Sequence, residues 1–230
     1  MPDLEAMADL DPGSDRRSRL AAARLYLVCG GDASARGLER LLGEAVGGGV
    51  DIVQLRAKDR PETELLALAR TAASVCRELG ALFIVNDSPA VARESGADGV
   101  HVGQDDITPA AARAIVGREL LIGLSTHEQG EVDAADPELV DYIGVGPVHE
   151  TPTKPGRPAV GLELVRHAAA HARVPFFAIG GLNAGNLGEA LSAGAMGVCV
   201  LRAIGDARDP RAAARALAEQ LGGVAAGERA

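Results

Sequence analysis

Asp51-Ile52-Val53-Gln54-Leu55-Arg56, a stretch rich in Ala, Leu, Glu and Arg over 62–79, then Leu82-Phe83-Ile84-Val85-Asn86-Asp87: the order of these three segments sets the topology. The flanking runs are short and apolar with β-branched residues, and the stretch between them has helical length and composition. Strand, helix, strand is the crossover that joins neighbouring parallel strands. Working outward, the same rhythm recurs. Strand-like runs fall at Leu25–Cys29, Gly99–Val102, Leu121–Ser125, Tyr142–Gly146, Pro175–Gly180 and Gly197–Leu201. Helical stretches fall at 34–47, 88–95, 108–116, 127–135, 161–172, 184–193 and 209–221. Strands alternating with helices predict a parallel α/β sheet. Eight such units in this length suit a closed (β/α)8 TIM barrel; an open doubly wound sheet is the alternative. No charge run or Pro/Ser linker interrupts 20–221, which therefore reads as one domain. Residues 1–19 and 222–230 read as loosely ordered tails.

Composition narrows the function classes. The 230 residues carry 23 basic and 32 acidic side chains, a net charge of −9, which disfavours binding to a nucleic-acid backbone. Aromatics are 2% of the chain and Trp is absent, so a base-stacking surface is hard to build. Cys29, Cys76 and Cys199 are odd in number and lack metal-ligand spacing; they read as small buried hydrophobes. The N-terminal stretch has no apolar core of a secretory signal, and no run is long enough to span a bilayer. A cytoplasmic location, with neither nucleic-acid nor membrane partner, is expected.

In a barrel of this kind the chemistry sits in the loops that follow the strands. The polar residues that interrupt the apolar runs fall there: Gln54 to Arg56, Asn86-Asp87, Gln104 to Asp106, Ser125, Thr151 to Lys154 and Gly180-Gly181. Alternation along a strand puts Gln54 and Arg56 on one face above Ile52, toward the barrel axis. Among the basic residues 21 are Arg and only two are Lys, Lys58 and Lys154, each just past an expected strand. A compact ammonium where Arg is the habitual cation points to an anionic ligand, with Arg56 close by. Asp87 and Asp106 follow adjacent strands, as hard-oxygen ligands for Mg2+ would; loop capping and helix N-capping are their alternative roles. Gly180-Gly181, after the seventh strand, and Leu201-Arg202, after the eighth, occupy the recurrent phosphate site of such barrels. The mouth thus offers a cation-and-metal end suited to a diphosphate and a backbone nest suited to a monophosphate. No convincing acid–base pair or Ser/His/Asp order accompanies them, which suggests an ionisation driven by leaving-group stabilisation.

Several motifs together resemble the thiamine-phosphate synthase (thiamine-phosphate pyrophosphorylase) family over about residues 24–220: Val53 to Lys58, Val85-Asn86-Asp87, Gly99 to Asp106, Gly123 to His127, Gly146-Pro147, Thr151 to Lys154 and Ile179-Gly180-Gly181. The resemblance implies a transferase. It would join an aminopyrimidine methanol diphosphate to a thiazole monophosphate (or its carboxylated form), releasing thiamine phosphate and pyrophosphate. It implies that Gln54 contacts the pyrimidine, and that Arg56, Lys58, Asn86, Ser125 and Lys154 hold the diphosphate. Of these, Arg56, Lys58, Ser125 and Lys154 would act in catalysis. It assigns Mg2+ to Asp87 and Asp106, and the thiazole phosphate to Thr151, Thr153, Gly181, Leu201 and Arg202. It implies a dissociative reaction and, with symmetry statistics, a homodimer.

Two residues depart from the family pattern. Arg202 stands where many relatives carry Ser, and Glu150 sets an acid beside an anion site. Glu150 must then point away or pair with a cation such as Arg157. The rival readings are the related thiazole tautomerase, with His127 as its proton shuttle, and a non-catalytic phosphate-ligand sensor. His127 and His149 otherwise read as structural or rim residues.

Overall fold

The computed structural model describes residues 12–30, 34–58, 60–150 and 158–227. Among them the strands β1 (Leu25–Gly30), β2 (Ile52–Arg56), β3 (Leu82–Asn86), β4 (Gly99–Val102), β5 (Leu121–Thr126), β6 (Tyr142–Val145), β7 (Phe176–Ile179) and β8 (Gly197–Val200) close a parallel barrel in chain order. β8 pairs back onto β1 through Leu25↔Val198 and Tyr26↔Cys199, so the closed sheet is the one expected and the open alternative is excluded. Each strand lies within one residue of its expected span.

The outer ring comprises α2 (Ala35–Gly47), α3 (Glu62–Leu79), α4 (Pro89–Ser95), α5 (Pro109–Val116), α6 (Gln129–Asp133), α7 (Gly161–His171), α8 (Leu187–Ser192) and α10 (Pro210–Gly227). Local chemistry sets where they begin. Ser88 and Thr108 cap α4 and α5 by accepting from Val91 N and Ala111 N, each with proline at the first helical position. A short α9 (Arg202–Gly205), not anticipated from the sequence, follows β8 directly.

Alternation along the strands divides the apolar side chains into two cores. One phase packs outward against the helices: Leu27, Val53, Leu55, Phe83, Val85 and Val100 belong to it. The other fills the barrel axis with Tyr26, Ile52, Ile84, Leu121, Tyr142, Phe177 and Cys199. Gln54 sits in the inner phase above Ile52, only 4% exposed.

The end at the strand N-termini is closed. Asp51 Oδ2 accepts from the amides of Arg24 and Leu25, Asp98 Oδ2 from Phe83 N, and Asp141 Oδ2 from Ile122 N. Each carboxylate thereby ties the loop before an even-numbered strand to the strand before it. Across this base lies α1 (Pro12–Ala22), with Leu20 inserted into the axial core. Its Arg16 Nε reaches Asp98 at 2.9 Å and its Arg17 Nε reaches Asp141 at 2.8 Å. Residues 12–19 therefore correct the expectation of a loose N-terminal tail. Their polar sequence hides an element held by ion pairs and one apolar anchor rather than by a hydrophobic stripe. At the other end α10 continues to Gly227, beyond the expected boundary at 221. Among the described residues no helix is long and apolar enough to cross a membrane.

Candidate active site

The open end of the barrel holds a cavity of about 440 Å³. Inward-phase side chains at the strand C-termini line one side of it: Gln54, Arg56, Asn86 and Ser125. Gly180, Gly181, Leu201 and Arg202 line the other. Seven expected site residues, Gln54, Arg56, Asn86, Ser125, Gly181, Leu201 and Arg202, thus converge on one space. Arg202 faces it although its side chain is largely exposed. Thr151, Thr153 and Lys154, and the suggested partner Arg157 of Glu150, lie outside the described residues. Glu150 itself is exposed.

Lys58, Asp87 and Asp106 form a cluster at the ends of β2, β3 and β4. Lys58 Nζ lies 2.8 Å from Asp87 Oδ2, and Asp106 Oδ2 accepts from Gly103 N at 2.8 Å. Asp87 is in the left-handed region at φ 65, which Asp tolerates better than most residues. Thr108, not Asp106, caps α5, and Asp106 instead accepts from Gly103 N within its own loop. Burial raises the Asp87 pKa; Lys58 opposes this, while Asp106, within hydrogen-bonding reach, raises it further. Two carboxyl groups this close repel unless a proton or a cation lies between them. Oxygen donors in that arrangement fit a hard dication. Among the described residues no set of three or more His, Cys, Asp or Glu forms a full metal cage. A bound ion would therefore draw its other ligands from water or substrate oxygens, as Mg2+ commonly does.

At the opposite side a turn follows β7. Gly180 and Gly181 have φ of 108 and 65, and a Cβ at Gly181 would lie 2.8 Å from His149 Cβ. Only glycine fits both demands. The turn is held by Asn183 Nδ2 and Asn186 Nδ2, which donate to Gly181 O at 3.2 and 3.0 Å.

The floor was not foreseen. The chain has two Tyr and three Phe; both tyrosines and Phe177 gather there, with His101 beside them. Phe177 meets Tyr26 edge-on at 5.3 Å between centroids and Tyr142 at 5.9 Å. A polar chain threads these rings. Gln54 Nε2 donates to Tyr26 Oη at 2.7 Å, Tyr26 Oη lies 2.8 Å from Tyr142 Oη, and Tyr142 Oη lies 3.2 Å from His101 Nδ1. His101 Nε2 lies 2.9 Å from Ser125 Oγ. A signal for it is present in the sequence: both tyrosines and His101 stand at inward positions of their strands. The scarcity of aromatics argues against base stacking but does not say where the few rings gather. At the rim, His127 also lines the cavity, its Nδ1 3.2 Å from Glu131 Oε2. The three cysteines are buried and unpaired, as expected, and burial pushes the Cys29 thiol up to about 12.

A family model described as thiamine monophosphate synthase matches residues 25–204. The thiamine-phosphate synthase of Acidothermus cellulolyticus is 49% identical over 212 residues, covering 91% of this chain and 100% of that protein. That of Thermus thermophilus is 51% identical over 182 residues, covering 79% and 87%. Among solved structures, the thiamine phosphate pyrophosphorylase from Pyrococcus furiosus superposes with a TM-score of 0.80 at 31% identity, covering 90% of this chain and 98% of that one.

Proposed function

The chain belongs to the thiamine monophosphate synthase family, and from that premise we propose that it condenses an aminopyrimidine methanol diphosphate with a thiazole monophosphate, giving thiamine phosphate and pyrophosphate. The observation that carries the reading is one cavity with two unlike sides. The side lined by Arg56, Asn86 and Ser125, with the Lys58–Asp87–Asp106 cluster on the adjoining residues, suits a diphosphate, and the Gly180-Gly181 turn with Leu201 and Arg202 suits a monophosphate.

The reaction in this reading is dissociative. The carbon–oxygen bond to the diphosphate breaks, the pyrimidine amino group stabilises the methylene cation left behind, and the thiazole nitrogen then forms the new carbon–nitrogen bond. Arg56, Lys58, Asn86 and Ser125 hold the leaving diphosphate, and Gln54 orients the pyrimidine. Gly181, Leu201 and Arg202 seat the thiazole phosphate so that its ring nitrogen faces the reacting carbon. The aromatic floor excludes water that would trap the cation. Asp87 and Asp106 would hold Mg2+, which when bound supplies charge neutralisation to the departing diphosphate. Thr151, Thr153 and Lys154 complete the two anion sites in this reading. It also includes a homodimer and a cytoplasmic location.

The test is turnover of the two substrates with Mg2+ and then with excess EDTA, reading thiamine phosphate and pyrophosphate together. Metal-dependent formation of both is expected. One observation favours a second reading: His127 lines the cavity and is held by Glu131, as a proton shuttle for the related thiazole tautomerase would be. Failure to form product, with isomerisation of the thiazole phosphate lost in His127→Asn, would turn the assignment to that enzyme.

A further inference from the structure

We propose that Tyr26, Tyr142 and His101 form a one-way hydrogen-bond wire beneath the cavity, whose direction is set by Gln54 and which makes the Ser125 hydroxyl an obligate donor toward a ligand. The direction follows from proton counting. The Gln54 amide nitrogen can only donate, and it donates to Tyr26 Oη at 2.7 Å. Tyr26 has one proton, and its other hydrogen-bond partner is Tyr142 Oη at 2.8 Å. Donating there satisfies the buried hydroxyl. Tyr142 then gives its own proton to His101 Nδ1. His101 must carry its proton on Nε2 and donate to Ser125 Oγ at 2.9 Å. Ser125, having accepted, directs its proton into the cavity that it lines.

The reverse polarity is worse. If His101 donated from Nδ1 to Tyr142, and Tyr142 to Tyr26, the Tyr26 oxygen would accept twice. Its own proton would then have no protein acceptor on a side chain only 2% exposed. An unmade hydrogen bond at a buried donor costs its full desolvation penalty. The strands are shaped for this contact. A Cβ on Gly123 would overlap His101 Nδ1 and Tyr142 Cζ, so the glycine opens the place where the two meet.

The wire has a consequence at each end. With one of its two N–H donors committed to Tyr26, Gln54 keeps its carbonyl acceptor and its second N–H for the cavity it lines; Ser125 offers a hydroxyl donor. The site therefore suits a ligand with an N–H group at one end and an anionic oxygen at the other. An aminopyrimidine diphosphate meets that demand, and this half of the inference rests on the proposed function. The polarity of the wire does not. Tyr26, Tyr142 and His101 are positioning residues: they act on the substrate through Gln54 and Ser125.

The experiment is long-range 1H–15N NMR of the full chain labelled in its histidines, with the His101 signals assigned by their loss in His101→Gln. Expected is a neutral ring protonated at Nε2. In Tyr26→Phe and Tyr142→Phe, which keep the ring volumes, that tautomer should give way to a mixture. kcat should then fall about fivefold to tenfold, the worth of one buried hydrogen bond, with the KM for the thiazole phosphate unchanged. A wild-type ring protonated at Nδ1, or variants that leave both tautomer and kcat unaltered, would overturn the wire. The expected tautomers without any turnover would support the wire while counting against the proposed function.

Discussion

Lys58 Nζ and Asp87 Oδ2 meet at 2.8 Å between the ends of β2 and β3, and the Asp87 backbone is left-handed at φ 65. The backbone decides which substitution is informative. Alanine there would add strain of about 1–2 kcal/mol, which Asn largely avoids. Asp87→Asn should therefore melt near the parent while turnover falls about 100-fold, partly recovered by raising Mg2+. Steady-state rates over a Mg2+ series, beside thermal melts, check this. Parental activity in the variant would remove Asp87 from the diphosphate end.

Lys58 is half-exposed, so its ion pair adds little to folding. Lys58→Ala is expected to leave the melting temperature unchanged within error and to cut kcat/KM about 100-fold. Isothermal titration with inorganic pyrophosphate should register the same loss as weaker binding. Unchanged affinity would sever the link between this cation and the anion it is assigned.

At the base, Asp141 accepts from Arg17, Arg113 and Ile122 N, with its side chain 7% exposed. Asp141→Ala removes the counter-charge of the mostly buried Arg113, leaving it the Gly117, Leu120 and Leu139 carbonyls, and should cost about 3 kcal/mol. Urea melts measure this. The KM values of the folded fraction should not move, because the carboxylate lies at the end of the barrel away from the cavity.

Alkaline pH should erode stability. Burial pushes Cys29 up to about 12, and raises Cys76, Cys199, Tyr26 and Tyr142 as well. Each group stays neutral in the folded chain after its unfolded counterpart has ionised. For Cys29 the contribution is intact below the ordinary thiol value of 9.0 and is lost as pH rises toward about 12. The slope is up to about 1.4 kcal/mol per pH unit for each group. Denaturant melts between neutral and alkaline pH test the sign; a Cys76→Ala variant should show a shallower decline.

The barrel was legible because periodicity and loop punctuation recur in every unit: the alternation that buries Ile52 also aims Gln54 at the axis. The residues that line the cavity mouth were legible because strand ends are where polar residues interrupt apolar runs. What escaped depends on long-range pairing. The first helix has a polar sequence, and its stability comes from Asp98 and Asp141, far along the chain. Tyr26, Tyr142 and His101 look like ordinary members of their strands until barrel closure brings the strands together. Gly123 stands in the sequence only as the start of a motif, and its purpose is visible only beside the two rings it admits.

The scarcity of lysine reaches into the handling of the protein itself. Apart from a chain's α-amino group, an amine-selective reagent finds only Lys58 and Lys154 in this sequence, and Lys58 stands half-exposed just past β2, whose Arg56 lines the cavity. At Lys58, acylating probes, amine-directed fluorophores and surface-coupling chemistries that scatter over most proteins would report from the strand C-terminal end of the barrel. A tag installed through Lys58 marks ligand entry, and immobilisation through it would close the door it is meant to watch.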